Sequence, residues 1–160
     1  MPRLVHSSEL HCAYAQFAVF DATIQTPHLA WEDGHVRQGF ARRNSQVSFV
    51  TLVEWGEAAL RVFVGAFAPK PEHTRVIEVP FELLSQQVGI EQPEDAALQR
   101  VLQLEPGHYR LVAAQTLDGG RLSIDLWFET LDTPLDRSRV RLADPDLDPP
   151  ETLLESAEIA

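Results

Sequence analysis

Leu122-Ser123-Ile124-Asp125-Leu126-Trp127-Phe128-Glu129 is the stretch that decides the fold class. Leu122, Ile124, Leu126 and Phe128 alternate with Ser123, Asp125, Trp127 and Glu129, the period of two that marks a strand with one buried face. Just before it, Asp118-Gly119-Gly120 supplies glycines that adopt positive φ without strain, so the preceding run from Tyr109 to Leu117 folds back onto it as a hairpin. Five further runs carry the same signal. They are Tyr14 to Phe20, Gln46 to Val53, Leu60 to Phe67, Arg75 to Phe81 and Ser138 to Leu142. Trp55-Gly56-Glu57, Pro69-Lys70-Pro71 and Pro106-Gly107 punctuate them. Short strands joined by tight turns predict a mainly β chain, an antiparallel β-sandwich of about seven to eight strands with at most one short helix. The helix is expected at Gln92-Pro93-Glu94-Asp95, where proline and acids open a turn and Ala96, Ala97, Leu98, Val101 and Leu102 follow at helical spacing.

The 160 residues, 44% of them hydrophobic, suffice for one ordinary domain and not for two. Residues 1–142 are expected to form the sandwich and 143–160 an acidic, proline-rich, flexible tail. Ala143-Asp144-Pro145-Asp146-Leu147-Asp148-Pro149-Pro150 has the composition of a solvated, extended linker. The lone Cys12 cannot close an internal disulfide. No run approaches the roughly 18 apolar residues of a membrane span, and the first residues lack a signal-peptide core. The expected address is the cytoplasm, without a membrane partner.

Charge points to the partner class. Twenty-four acids against thirteen Lys and Arg give a formal net charge of −11. Six of the acids, and no base, lie in residues 142–160, which leaves the other 141 residues with a net charge of −5. Such a field repels phosphate backbones and attracts basic proteins, so direct binding of nucleic acid is not expected.

Catalytic and metal patterns are weak. There is no Gly-x-Ser-x-Gly elbow and no phosphate-binding glycine loop. Asp125 and Glu129 share a strand face, but at about 13 Å along it they are too far apart to act on one bond and read as a solvated face. None of the six histidines forms a ligand pair in sequence, although His28 and His35 flank one loop. Asp144, Asp146, Asp148 and Glu155 occupy positions 1, 3, 5 and 12 of a calcium loop, yet position 6, which needs glycine, is Pro149. No catalytic residue, metal ligand or cofactor is assigned, and the chain is expected not to be an enzyme.

Two segments carry interface-type residues. Trp31, Glu32 and Asp33 lie in a turn-rich connection, and Phe40, Arg42 and Arg43 follow closely. Aromatic and arginine side chains on loops are the types that anchor interfaces, so these six are the candidate partner-binding residues. The bland reading is that Trp31 and Phe40 plug the open end of the sandwich.

Tyr14, Gln16, Phe17, Val19 and Phe20, then Pro27, Trp31, Asp33, Gly39-Phe40-Ala41 and Val47-Ser48-Phe49, resemble in order and spacing the competence protein J family. Val79-Pro80-Phe81 and Pro106-Gly107-His108-Tyr109 are further echoes. The resemblance is good over residues 9–53 and a compatible strand pattern from Leu60 to Leu131; the tail has no counterpart in it. It implies a small acidic protein that inhibits a nuclease acting on incoming DNA, and it brings no catalytic residues. A different function class, a C2-like binding module that holds calcium or a small ligand with loop acids, is the alternative.

Overall fold

A computed structural model describes residues 2–25, 27–91 and 100–160. Among these residues the chain forms eleven strands and one helix: β1 (Arg3–Cys12), β2 (Gln16–Asp21), α1 (Asp33–Gln38), β3 (Phe40–Arg43), β4 (Gln46–Val50), β5 (Gly56–Val64), β6 (Arg75–Leu83), β7 (Gln87–Glu91), β8 (Arg100–Gln103), β9 (Gly107–Asp118), β10 (Arg121–Leu131) and β11 (Arg139–Leu142). They build two sheets, β1-β5-β10-β9-β6-β11 and β3-β4-β2-β7-β8. Every pairing is antiparallel except β5 with β10.

The mainly β class agrees with the sequence, but the strand number does not. Two sheets of six and five strands replace the expected seven to eight. The excess lies in elements whose composition hides them. The edge strand β1 is polar (Arg3-Leu4-Val5-His6-Ser7-Ser8), and β3, β7 and β8 have only four or five residues each. Of the expected helix, residues 92–99 lie outside the described residues. Val101 and Leu102 belong to β8, paired with Gly89 and Val88. The one described helix, α1, falls instead inside the turn-rich segment after Trp31.

The opening stretch does what its period requires. Leu122, Ile124, Leu126 and Phe128 enter a single core with Phe17, Val19, Phe49, Val88 and Ile90 of the other sheet. The opposite side of β10 is not the solvated face expected for Asp125. Phe63 stacks on Trp127 with ring centroids 4.3 Å apart, and Phe67 meets it edge-on. Asp125, buried, takes a two-pronged pair from Arg61 at 2.9 and 2.8 Å. Asp125 is tolerated on this face because Arg61 pairs with it. The Trp127 ring is tolerated because Phe63 and Phe67 cover it, although its buried indole N–H has no hydrogen-bond partner among the described residues.

Residues 143–160 lie against the sheets, a second departure from the sequence reading. Leu147 joins the main core, Ala157 packs with Leu29 and Ala41, and Asp144 is buried against Arg75. Widely spaced apolar residues among acids do not register as an amphipathic pattern, so composition alone reports solvation.

Asp21 ties the end of β2 to the 84–87 turn. It is fully buried and accepts hydrogen bonds from the amides of Thr23, Leu84 and Ser85 and from the Thr23 and Ser85 hydroxyls. Burial pushes its carboxyl up, but these donors together outweigh it and hold it far below the usual carboxylate range. A depressed native value contributes stability that is complete above the unfolded-state value of about 4 and is lost as pH falls below it. Asp21→Asn turns one acceptor into a donor facing donors. It is expected to cost about 1–3 kcal/mol at neutral pH and to flatten the acid loss below about pH 4, read by denaturant unfolding across pH.

Candidate partner-binding surface

The six candidate residues divide into two environments. Trp31 is half-buried on Leu29, Ala41 and Ala157, and its indole Nε1–H donates to Gln16 Oε1 at 3.2 Å. Glu32 and Asp33 are exposed. The helix they start is closed at both ends by local chemistry. The Glu32 amide donates to His35 Nδ1 at 3.0 Å. Gly39 ends α1 at φ 89°, a left-handed conformation that favours glycine, and a Cβ there would lie 2.9 Å from Ile77 Cδ1, so that side chain would have to shift.

Phe40 and Arg42 are not surface anchors. Phe40 has no exposed surface, because β3 turns it into the shared core. Arg42, on the same side of that strand, is 7% exposed and donates to the Glu155 carbonyl at 2.9 Å, with the Glu155 carboxylate 3.6 Å away. Burial lowers its guanidinium below the usual value and the Glu155 charge opposes this. Arg43 is exposed, and its Nη1 donates to the Ala157 carbonyl at 3.0 Å. Both arginines thus hold residues of the chain's own C-terminal segment.

The structure adds a patch that the sequence reading passed over. Tyr14 and Trp55 are 54% and 49% exposed, with ring centroids 4.8 Å apart, and Glu54 and Glu57 beside them are exposed. Tyr14 and Ala15 both adopt φ 56°, a left-handed turn that costs a non-glycine residue of order 1–3 kcal/mol. Main-chain bonds hold this turn: the Ala15 amide donates to the Glu54 carbonyl at 3.0 Å, and the Thr51 amide to the Ala15 carbonyl at 2.8 Å. Gln16, next in the chain, carries the bond to Trp31, so the two aromatic-and-acid patches are linked through one residue. The signal existed in Glu54-Trp55-Gly56-Glu57, which repeats the pattern of Trp31-Glu32-Asp33 but read as a hairpin connection.

Three of the four acids of the apparent calcium pattern have separate side-chain or main-chain partners. Asp144 meets Arg75, Asp148 meets Arg37 at 3.3 Å, and Glu155 accepts from the amide and hydroxyl of Ser138. Among the described residues no group of three or more His, Cys, Asp or Glu is placed to hold a metal ion. His28 and His35 do not meet: His28 faces Glu91, and His35 is enclosed between the Glu32 amide and the Ser156 carbonyl. Among the described residues no helix is long and apolar enough to cross a membrane.

Residues 9–128 match the family described as competence protein J. No curated protein matches. A crystal structure of ComJ, inhibitor of the DNA degrading activity of NucA, from Bacillus subtilis, matches with a TM-score of 0.70 at 19% identity, over 82% of this chain and 99% of that one. At that identity the structural likeness speaks for the fold, and the family match, over about three quarters of the sequence, speaks for descent. The chain belongs to the competence protein J family.

Proposed function

We propose that this protein binds and inhibits a nuclease, without being an enzyme itself, through the surface that carries Trp31, Glu32 and Asp33 together with Tyr14, Glu54, Trp55 and Glu57. The observation that supports the reading most is membership of a family whose solved relative inhibits the DNA degrading activity of NucA. The physics is consistent with it. A nuclease presents cationic groups to its phosphate substrate. Carboxylates on a frame already held by main-chain bonds occupy such a groove with little ordering cost. Complementary charge speeds encounter, and partly exposed aromatic rings that become buried slow dissociation. Net charge −11 supplies the long-range part.

Titration of a NucA-type nuclease tests the reading. Cleavage of a labelled duplex is expected to fall linearly to zero at one equivalent of this protein, and to recover partly as salt is raised. Cleavage unaffected by a tenfold excess at low salt would contradict it.

A further inference from the structure

The C-terminal segment is held in an unusual way. Five consecutive backbone carbonyls each accept a hydrogen bond from the body of the protein. Leu154 takes one from Gln38 Nε2 at 2.9 Å, Glu155 from Arg42 Nη1 at 2.9 Å, and Ser156 from His35 Nε2 at 2.9 Å. Ala157 takes one from Arg43 Nη1 at 3.0 Å and Glu158 from the Ala30 amide at 2.8 Å. Two amides complete the set: Leu154 donates to Gln38 Oε1 at 2.8 Å, and Ala160 to the His28 carbonyl at 3.2 Å. Leu29 and Ile159 form an antiparallel bridge. Ala157 fills the space between Leu29, Ala41 and Trp31, while Leu154 lies over Gly34, where a Cβ would stand 2.7 Å from its Cδ1.

This is how a protein grips a peptide. Main-chain groups supply affinity, small recesses for alternate side chains supply selectivity, and the remaining side chains stay in water. Glu151, Ser156, Glu158 and Ile159 are exposed. The donors come from the loop before Trp31, from α1 and from β3, all inside the matched family span, whereas the segment that they hold lies beyond residue 128, where that span ends. Pro149 and Pro150 precede it, a stiff spacer that keeps the segment at high effective concentration near the groove.

We propose that the groove between residues 28–31, α1 and β3 is a binding site for an extended acidic peptide, recognised by its carbonyls and filled in cis by residues 153–160 of this chain. A small residue at the place of Ala157 and a leucine at the place of Leu154 are its side-chain requirements. Arg42 gives the site its preference for acidic sequences through the Glu155 carboxylate 3.6 Å away, while Arg43 holds the Ala157 carbonyl. The site is a property of the body alone and does not depend on the nuclease reading.

The test needs no nuclease. A specific protease site is placed between Pro150 and Glu151 of the full chain, the protein is cut in place, and the ten-residue fragment is followed by a fluorophore on its new amino terminus. The nicked protein is expected to keep the fragment when concentrated, to release it on dilution, and to give it up to excess synthetic peptide of the native sequence. Arg43→Ala in the body, or Ala157→Trp in the peptide, should each weaken binding about tenfold or more, one donor or one recess being lost. Failure of the fragment to rebind while the body keeps its near-ultraviolet circular dichroism would overturn the proposal. So would unfolding of the body on release, since the segment would then be a core element rather than a ligand, and so would equal binding of the Ala157→Trp peptide.

Discussion

Asp144→Ala is expected to lower the unfolding free energy by about 3–5 kcal/mol, the cost of leaving a buried charge without its counter-ion. Arg75 and Asp144 are both buried. Arg75 Nε donates to Asp144 Oδ1 at 2.6 Å, Nη2 to Oδ2 at 3.0 Å, and Nη1 to the Val50 carbonyl at 3.0 Å. The pair joins β6, the end of β4 and the start of the C-terminal segment. For a chain of this size the loss corresponds to a melting temperature lower by roughly 6–20 °C in a thermal scan. The double change Arg75→Met with Asp144→Leu should recover most of it, because a buried pair replaced by apolar groups of similar volume is often neutral. Acid acts in the same direction. Burial pushes the Asp144 carboxyl up, but the Arg75 hydrogen bonds and charge outweigh it and hold the carboxyl below its ordinary value. Its contribution is therefore complete above about pH 4 and lost as pH falls below that. A loss under 1 kcal/mol for Asp144→Ala would mean that the segment is not anchored there.

Glu32→Lys combined with Asp33→Lys is expected to slow association with the nuclease about tenfold or more at low salt, and much less at high salt. Both side chains are exposed and the formal change is from −11 to −7, concentrated on the proposed contact. The cost in stability should stay near ~1–2 kcal/mol, since the changes remove a favourable charge at the start of a short helix and the Glu32 side chain's part in its capping box. Trp55→Ala should act on the other rate. A partly exposed ring that becomes buried in the complex is worth about 2 kcal/mol when truncated, roughly a thirtyfold faster dissociation. Stopped-flow association and surface-immobilised dissociation separate the two effects. Slower association with unaltered dissociation for the charge variant, and the reverse for Trp55→Ala, is the expected pattern.

How far the sequence can be read follows from which forces act locally. Period-two alternation is local, so the core face of β10 and the β9–β10 hairpin at Gly119-Gly120 were legible. The pairing of β5 with β10 in parallel is not, because it joins strands separated by the whole of β6 to β9. The buried state of Asp125 was hidden for the same reason: its partner, Arg61, is a neighbour only through that parallel pairing. At the proposed contact, Trp31, Glu32 and Asp33 stand out in the sequence because acid and aromatic adjoin there. Phe40 was misjudged because a phenylalanine between glycine and alanine looks like a loop anchor until β3 pairs with β4 and turns it inward. Arg42 and Arg43 depend on a segment more than a hundred residues away, which no local pattern reports. Tyr14 was assigned to a strand, and only its φ of 56° reveals that it turns outward to meet Trp55.

The most direct measurement of the central claim is the association rate of the native protein with a NucA-type nuclease as a function of ionic strength. Carboxylates that take the place of a polyanion in a cationic groove predict a rate well above the ~10⁵–10⁶ M⁻¹s⁻¹ of uncharged pairs at low salt, falling steeply as salt is added, with one molecule bound per active site. A rate that stays flat from low to high ionic strength, or a complex that leaves DNA cleavage intact, would contradict it.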